Sequence, residues 1–175
     1  MVKFLPAGVA CASLVLTFAL AAVSAQAQTI SKSCAAPEHR QFDFWLGSWN
    51  VADPSGKPQG TNDVTLIQDG CVLQEHWKGV DGSSGTSFNL YDATAKHWHQ
   101  TWVDNSGGIL LLDGGLSNGA MVLKQARTLR DGSSAIDRIT WTKLEAGKVR
   151  QLWDRSKDGG KHWKVVFDGI YTLKG

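Results

Sequence analysis

Glu75 lies between Leu73 and Trp77 in the stretch GCVLQEHW. If residues 71–79 form a strand, Leu73, Glu75 and Trp77 share one face and Gln74, His76 and Lys78 the other, because side chains alternate along a strand. A carboxyl flanked by apolar groups on a closed face loses hydration. Its pKa rises, and it can serve as an acid or a base. Arg138 or Arg150 could instead hold it as an ion pair, and a structural or ligand-anchoring role is preferred to catalysis. Glu75 is thus the one weak catalytic candidate. Asp104 opens a turn and Asp168 alternates away from Phe167, so both read as turn or surface residues.

The pairing of Trp with one polar residue recurs. Trp98, Gln100 and Trp102 share a face of 97–104, and Val149, Gln151 and Trp153 share a face of 148–155. In the last strand Trp163, Val165, Phe167 and Tyr171 fall together. Turned inward, these faces would wall a lumen with indoles and a few hydrogen-bonding groups, which is the makeup of a small-molecule pocket. The expected ligand-binding set is Trp49, Glu75, Trp77, Trp98, Gln100, Trp102, Gln151 and Trp153. Indoles can also simply fill a core, but a filled core needs no polar atoms, and an unpaired one costs a few kcal/mol. In 136–143 either Ile139 and Trp141 or Arg138 and Thr140 face inward, and the pattern leaves that open.

His97 and His99 have the spacing that puts two imidazoles on one strand face, with His76 a conceivable third ligand. If Trp98 and Trp102 point in, both histidines point out, so no metal is expected. Haem through His162 is also disfavoured, and no cofactor is expected. No G-x-S-x-G, H-E-x-x-H or P-loop occurs. Residues 156–163, SKDGGKHW, fit the S-x-D-x-G-x-x-W Asp-box pattern known from sialidase propellers. A single copy cannot build a propeller and reads as a hairpin brace.

Short alternating runs separated by Gly, Asp, Asn and Ser must position these residues. Ten strands are expected, at 48–53, 61–68, 71–79, 86–91, 97–104, 108–113, 119–126, 136–143, 148–155 and 162–173. DGSSG (81–85), DNSGG (104–108), DGGLSNG (113–119) and DGSS (131–134) are the hairpin connectors. Consecutive hairpins without a crossover predict an all-β, up-and-down antiparallel barrel, since closure removes exposed edges. FDFWLGSW (42–49) precedes the first strand, so Phe42, Phe44 and Trp45 are expected to plug one end as a turn or 3₁₀ segment.

Gly47-Ser48-Trp49 after this aromatic lead-in resembles the calycin superfamily, the lipocalins and fatty-acid-binding proteins. More narrowly, the chain resembles secreted bacterial calycin-like proteins of unknown function, through FDFWLGSW, GCVLQEHW, YDATAKHWHQTWVD and RQLWDRSKDGGKHW. The resemblance implies a β-barrel and no settled activity.

Lys3, an apolar run over 4–23 and Ala25-Gln26-Ala27 read as a secretory signal peptide over 1–27, cleaved near Ala27, with Ala25 the alternative, and carrying Cys11 away. Residues 28–175 then form a single domain, secreted or periplasmic. No later stretch is apolar enough to span a bilayer, so no membrane insertion is expected after signal removal. The formal charge is +2; loss of Lys3 with the signal leaves about +1, a near-neutral balance that gives no reason to expect nucleic acid or an acidic membrane as partner. The oligomeric state is left open. An oxidising compartment and two remaining cysteines predict a Cys34–Cys71 disulfide, which would stabilise by roughly 4 kcal/mol through the closed loop. The functional expectation is a binding protein for a small apolar or aromatic molecule. The alternatives are a cofactor-independent isomerase, cyclase or lyase using Glu75 as general base, or a packed structural barrel.

Overall fold

The computed structural model describes Met1, residues 34–145 and residues 147–175. Beyond Met1, the expected signal peptide lies outside the described residues. Two 3₁₀ turns, Pro37–Arg40 and Asp43–Trp45, lead into ten strands. These are β1 (Gly47–Ala52), β2 (Pro58–Ile67), β3 (Val72–Gly79), β4 (Ser84–Asp92), β5 (His97–Asp104), β6 (Ile109–Ser117), β7 (Ala120–Thr128), β8 (Ser134–Lys143), β9 (Lys148–Ser156) and β10 (Lys164–Leu173). Each strand pairs antiparallel with its sequence neighbours, and β10 pairs with β1 to close the barrel. No described helix is long and apolar enough to cross a membrane.

Turn chemistry sets the hairpins. At one end Asp53, Asp81, Asp104 and Asp131 each accept the backbone N–H of a Ser two residues on, at 2.8–3.0 Å. This Asx-turn replaces a missing backbone partner and frees the next Gly to adopt positive φ. The Asp-box does the same for β9–β10: Asp158 accepts the Lys161 and His162 N–H groups, and Trp163 donates to the Gly160 carbonyl.

Two sequence expectations need correction here. DGGLSNG is mostly strand, because β6 runs on to Ser117 and Asn118-Gly119, both at positive φ, make a two-residue turn unaided. In β10 the pairing with β9 slips between Val165 and Phe167. That bulge breaks the period of two, so Trp163 and Val165 do not share the inner face of Phe167 and Tyr171. Val165 is largely exposed, and Trp163 lies under the Arg138 guanidinium at 3.8 Å.

The open choice in β8 resolves with Ile139 and Trp141 buried inside. Arg138 and Thr140 occupy the alternate, outer positions. One half of the interior is solid. Phe42 and Trp45 enter from the 3₁₀ segment and stack at 5.0 Å. Phe42 meets Trp98 and Trp141 edge-on, and Trp45 meets Trp141 and Tyr171. Cys34–Cys71 ties this segment to the β2–β3 turn, and Arg40 donates to the Gly70 carbonyl beside it. A protein lacking residues 1–27 is therefore expected to show no thiol reactive toward Ellman's reagent until it is reduced, and two afterwards. Two thiols without reductant would contradict the bridge.

Candidate functional site

The other half of the barrel is hollow. A cavity of about 460 Å³ opens at the Asx-turn end, between the β1–β2, β3–β4 and β5–β6 turns. Glu75, Gln100, Gln151 and Tyr171 form a polar floor. Trp77, Trp102, Trp153, Phe167, Leu110 and Ile139 form the walls. Six of the eight expected ligand-binding residues, Glu75, Trp77, Gln100, Trp102, Gln151 and Trp153, line this space. Trp49 and Trp98 do not. Both point inward, as period two requires, but at the plugged end. The Trp49 indole donates to the Trp45 carbonyl at 3.0 Å, and that of Trp98 to Gln41 Oε1 at 3.2 Å. Alternation assigns a face; it says nothing about height in the barrel.

The wall indoles spend their N–H groups on the protein. Trp77 donates to Ser83 Oγ at 3.3 Å, Trp102 to Asp104 at 3.3 Å and Trp153 to Asp137 at 2.8 Å. A ligand would therefore meet ring faces rather than N–H donors. Asp104 does more than cap a turn: it also holds Trp102, and the Ser106 hydroxyl above all pulls its pKa down to about 2. Asp137 is fully buried and is balanced by Arg155 at 2.7 Å and Arg127 at 3.7 Å.

Two glycines let the rings lie flat. A Cβ on Gly60 would strike the Trp77 ring and the Lys78 carbonyl, and one on Gly85 the Trp102 ring and the Val103 carbonyl. In each case the glycine sits on the neighbouring strand, diagonal to the indole. Gly85→Ala is expected to push Trp102 into the hollow and to cost about 1–3 kcal/mol as overpacking. Urea unfolding and the Trp102 environment by fluorescence check this; an unchanged transition would refute it.

The floor is wired in one direction. Gln100 Nε2 donates to Asn89 Oδ1 at 2.7 Å, Asn89 Nδ2 donates to Ser87 Oγ at 2.9 Å, and Ser87 Oγ donates to Glu75 Oε2 at 2.6 Å. All four side chains are buried. Burial pushes the Glu75 pKa up to about 7, against the opposing pull of the Ser87 hydroxyl and a smaller one from Asn62. The Asn62 carboxamide faces Glu75 but neither of its polar atoms completes a hydrogen bond. Tyr171 donates to Gln151, and burial together with the Glu75 charge raises its phenol well above the ordinary tyrosine value.

The ion-pair alternative for Glu75 fails. Arg138 pairs with Asp154 and Arg150 with Asp168, both across the outer face of neighbouring strands. His97 and His99 also lie outside, around Asp113 at 3.3 and 2.7 Å. His162 is exposed in the Asp-box turn, paired with Asp158.

Sequence reasoning passed over Ser87, Asn89, Gly60 and Gly85 as parts of the site; it put Tyr171 on a lumen face without including it in the ligand-binding set. In SFNL (87–90) the apolar Phe88 would be expected inside, yet it is exposed while Ser87 and Asn89 are buried. The usable signal was Glu75 itself: a buried carboxyl needs donors on the adjacent strand, and β4 supplies them. No protein-family model matches the chain, and no curated protein is measurably similar to it.

Proposed function

We propose that the protein is a calycin-like binding protein that takes a small molecule with a flat, apolar body into the open half of its barrel. One observation carries the reading: aromatic walls presenting ring faces converge on a buried polar floor, and the space between them is reached through an open mouth. The ligand body would stack among Trp77, Trp102, Trp153 and Phe167, and Glu75, Gln100 and Gln151 would orient its polar end. The packed-barrel alternative describes only the plugged half. The disulfide suits an oxidising setting, in keeping with a secreted or periplasmic protein.

Titration with N-phenyl-1-naphthylamine, a neutral flat probe, tests the proposal. Binding should quench tryptophan emission and brighten the probe, and Trp102→Ala should weaken it about tenfold, the worth of one stacking face. No response from the folded protein would overturn the reading.

A second reading rests on Glu75. A general base works best when its pKa lies near the operating pH, and Glu75 has been raised to about 7. A cofactor-independent isomerase, cyclase or lyase would use it to move a proton within the same hollow. A ¹³C NMR titration of the Glu75 carboxyl near the value of an exposed glutamate would eliminate that reading.

A further inference from the structure

The polar groups on the cavity floor do not present donors and acceptors evenly. Glu75 is only 4% exposed and lines the cavity. Ser87 completes its one hydrogen bond, at Oε2. Gln100 uses its N–H group on Asn89 and Ser87, which leaves its carbonyl oxygen as the group to offer a ligand. Two acceptors therefore remain at the bottom of the hollow, beside one donor, the Gln151 amide N–H group, whose own oxygen takes the Tyr171 hydroxyl. The wall indoles, their N–H groups already committed, add only the electron-rich faces of their rings.

The charges agree. Glu75 meets Val64 and Asn62 of β2, Ser87 of β4 and, across the hollow, Gln100, Gln151 and Tyr171. None of these is a cation. Asp81 and Asp104 stand at the rim, where the one basic residue is Lys57. The nearby inner-face arginines, Arg127 and Arg155, are turned to Asp137. The lining itself therefore carries three carboxyls against Lys57, with the Asp137 cluster and its one excess positive charge set behind Trp153, and it holds a buried carboxyl that no described residue neutralises.

We infer that the ligand carries a cationic ammonium or amidinium group on its flat apolar body, the charge set against Glu75 and a donor shared with Gln100. This rests on the binding reading above and deepens it. The indole faces would stabilise the cation on its way in, and the carboxylate would receive it at the floor. Binding is coupled to a proton. The empty site holds Glu75 partly protonated near neutrality because burial raises its pKa. A cation at the floor favours the carboxylate, so the site releases a proton on binding, and affinity climbs as pH rises through about 7.

Three probes with one ring system decide the matter by calorimetry: 2-(1-naphthyl)ethylamine, 2-(1-naphthyl)ethanol and 1-naphthylacetate. At pH 8 the amine should bind about tenfold or more tightly than the alcohol, and the acetate weakest, as expected for a charge-assisted hydrogen bond in a buried site. From pH 6 to pH 8 the affinity of the amine should rise about tenfold, following Glu75 ionisation, and that of the alcohol should stay level. Repeating the titration in buffers of different ionisation enthalpy should show about half a proton released per amine at pH 7. Glu75→Gln should erase the advantage of the amine over the alcohol and flatten the pH dependence of amine binding, since the amide keeps the shape and drops the charge. Equal or tighter binding of the alcohol or the acetate, or an amine preference that survives Glu75→Gln, would overturn the inference and leave the binding reading standing. Silence from all three and from N-phenyl-1-naphthylamine would remove both.

Discussion

Replacing Trp45 by Ala should lower the free energy of unfolding by about 4 kcal/mol, the usual cost of emptying a large buried aromatic site. The ring is fully buried and stands between Phe42, Trp141 and Tyr171. Its backbone carbonyl accepts the Trp49 indole, so collapse of the segment would disturb that contact as well. The barrel cannot shrink to fill the void, because the radius of a closed sheet is set by strand number and stagger. Trp45→Phe should behave differently. The Trp45 Nε1 is buried with no hydrogen-bond partner, and an orphaned donor of this kind costs about 1–3 kcal/mol. Removing it offsets part of the lost volume, so the phenylalanine variant should lose less than about 2 kcal/mol. Urea denaturation followed by circular dichroism measures both. Similar losses for the two variants would show that the indole N–H is satisfied in solution or that the plug is not packed as described.

Glu75→Gln should change the shape of the stability–pH curve. The carboxyl titrates at about 7 when folded, against 4.5 when free. A raised carboxyl pKa means that the unfolded chain gives up its proton first. Below about pH 4 the group is protonated in both states and costs nothing extra. As pH rises from about 4.5 to 7 the unfolded state binds fewer protons, so stability falls, by about 3 kcal/mol for a shift of this size. Above pH 7 the loss is complete and constant. The glutamine variant lacks this term. It should therefore match wild type at pH 4 to within the cost of re-forming the Ser87 bond, and exceed it by up to about 3 kcal/mol at pH 8. Chemical denaturation of both proteins across pH 4–8 provides the measurement. Parallel curves would show that Glu75 is solvated or paired in the folded protein. The aspartates of the mouth-end turns act in the opposite sense, because their hydrogen bonds hold their pKa values low, but they are exposed and screened. The Glu75 contribution should therefore dominate above pH 4.5.

The ten strands, their order and, apart from the overlong DGGLSNG connector, the hairpin turns were legible in the chain because they rest on local chemistry. A period of two assigns faces, and Asn-Gly, Asp-x-Ser and the Asp-box close turns through groups a few residues apart. The same local rules separated inward from outward residues in β3, β5 and β9, and so collected most of the cavity lining. They could not sort the tryptophans by height. Trp49 and Trp98 share their faces with cavity residues, and only the seating of Phe42 and Trp45 within the barrel decides which end is filled and which stays hollow. They also missed the bulge that turns Trp163 outward, because a bulge appears only when two strands are paired. The partners of Glu75, Arg138 and Arg150 lie on neighbouring strands, so register decides that both arginines are taken by outer aspartates and that the inner carboxyl is left with a serine. Faces follow from covalent geometry. Depth, register and the balance of buried charge follow from closure of the sheet, which no short stretch of chain encodes.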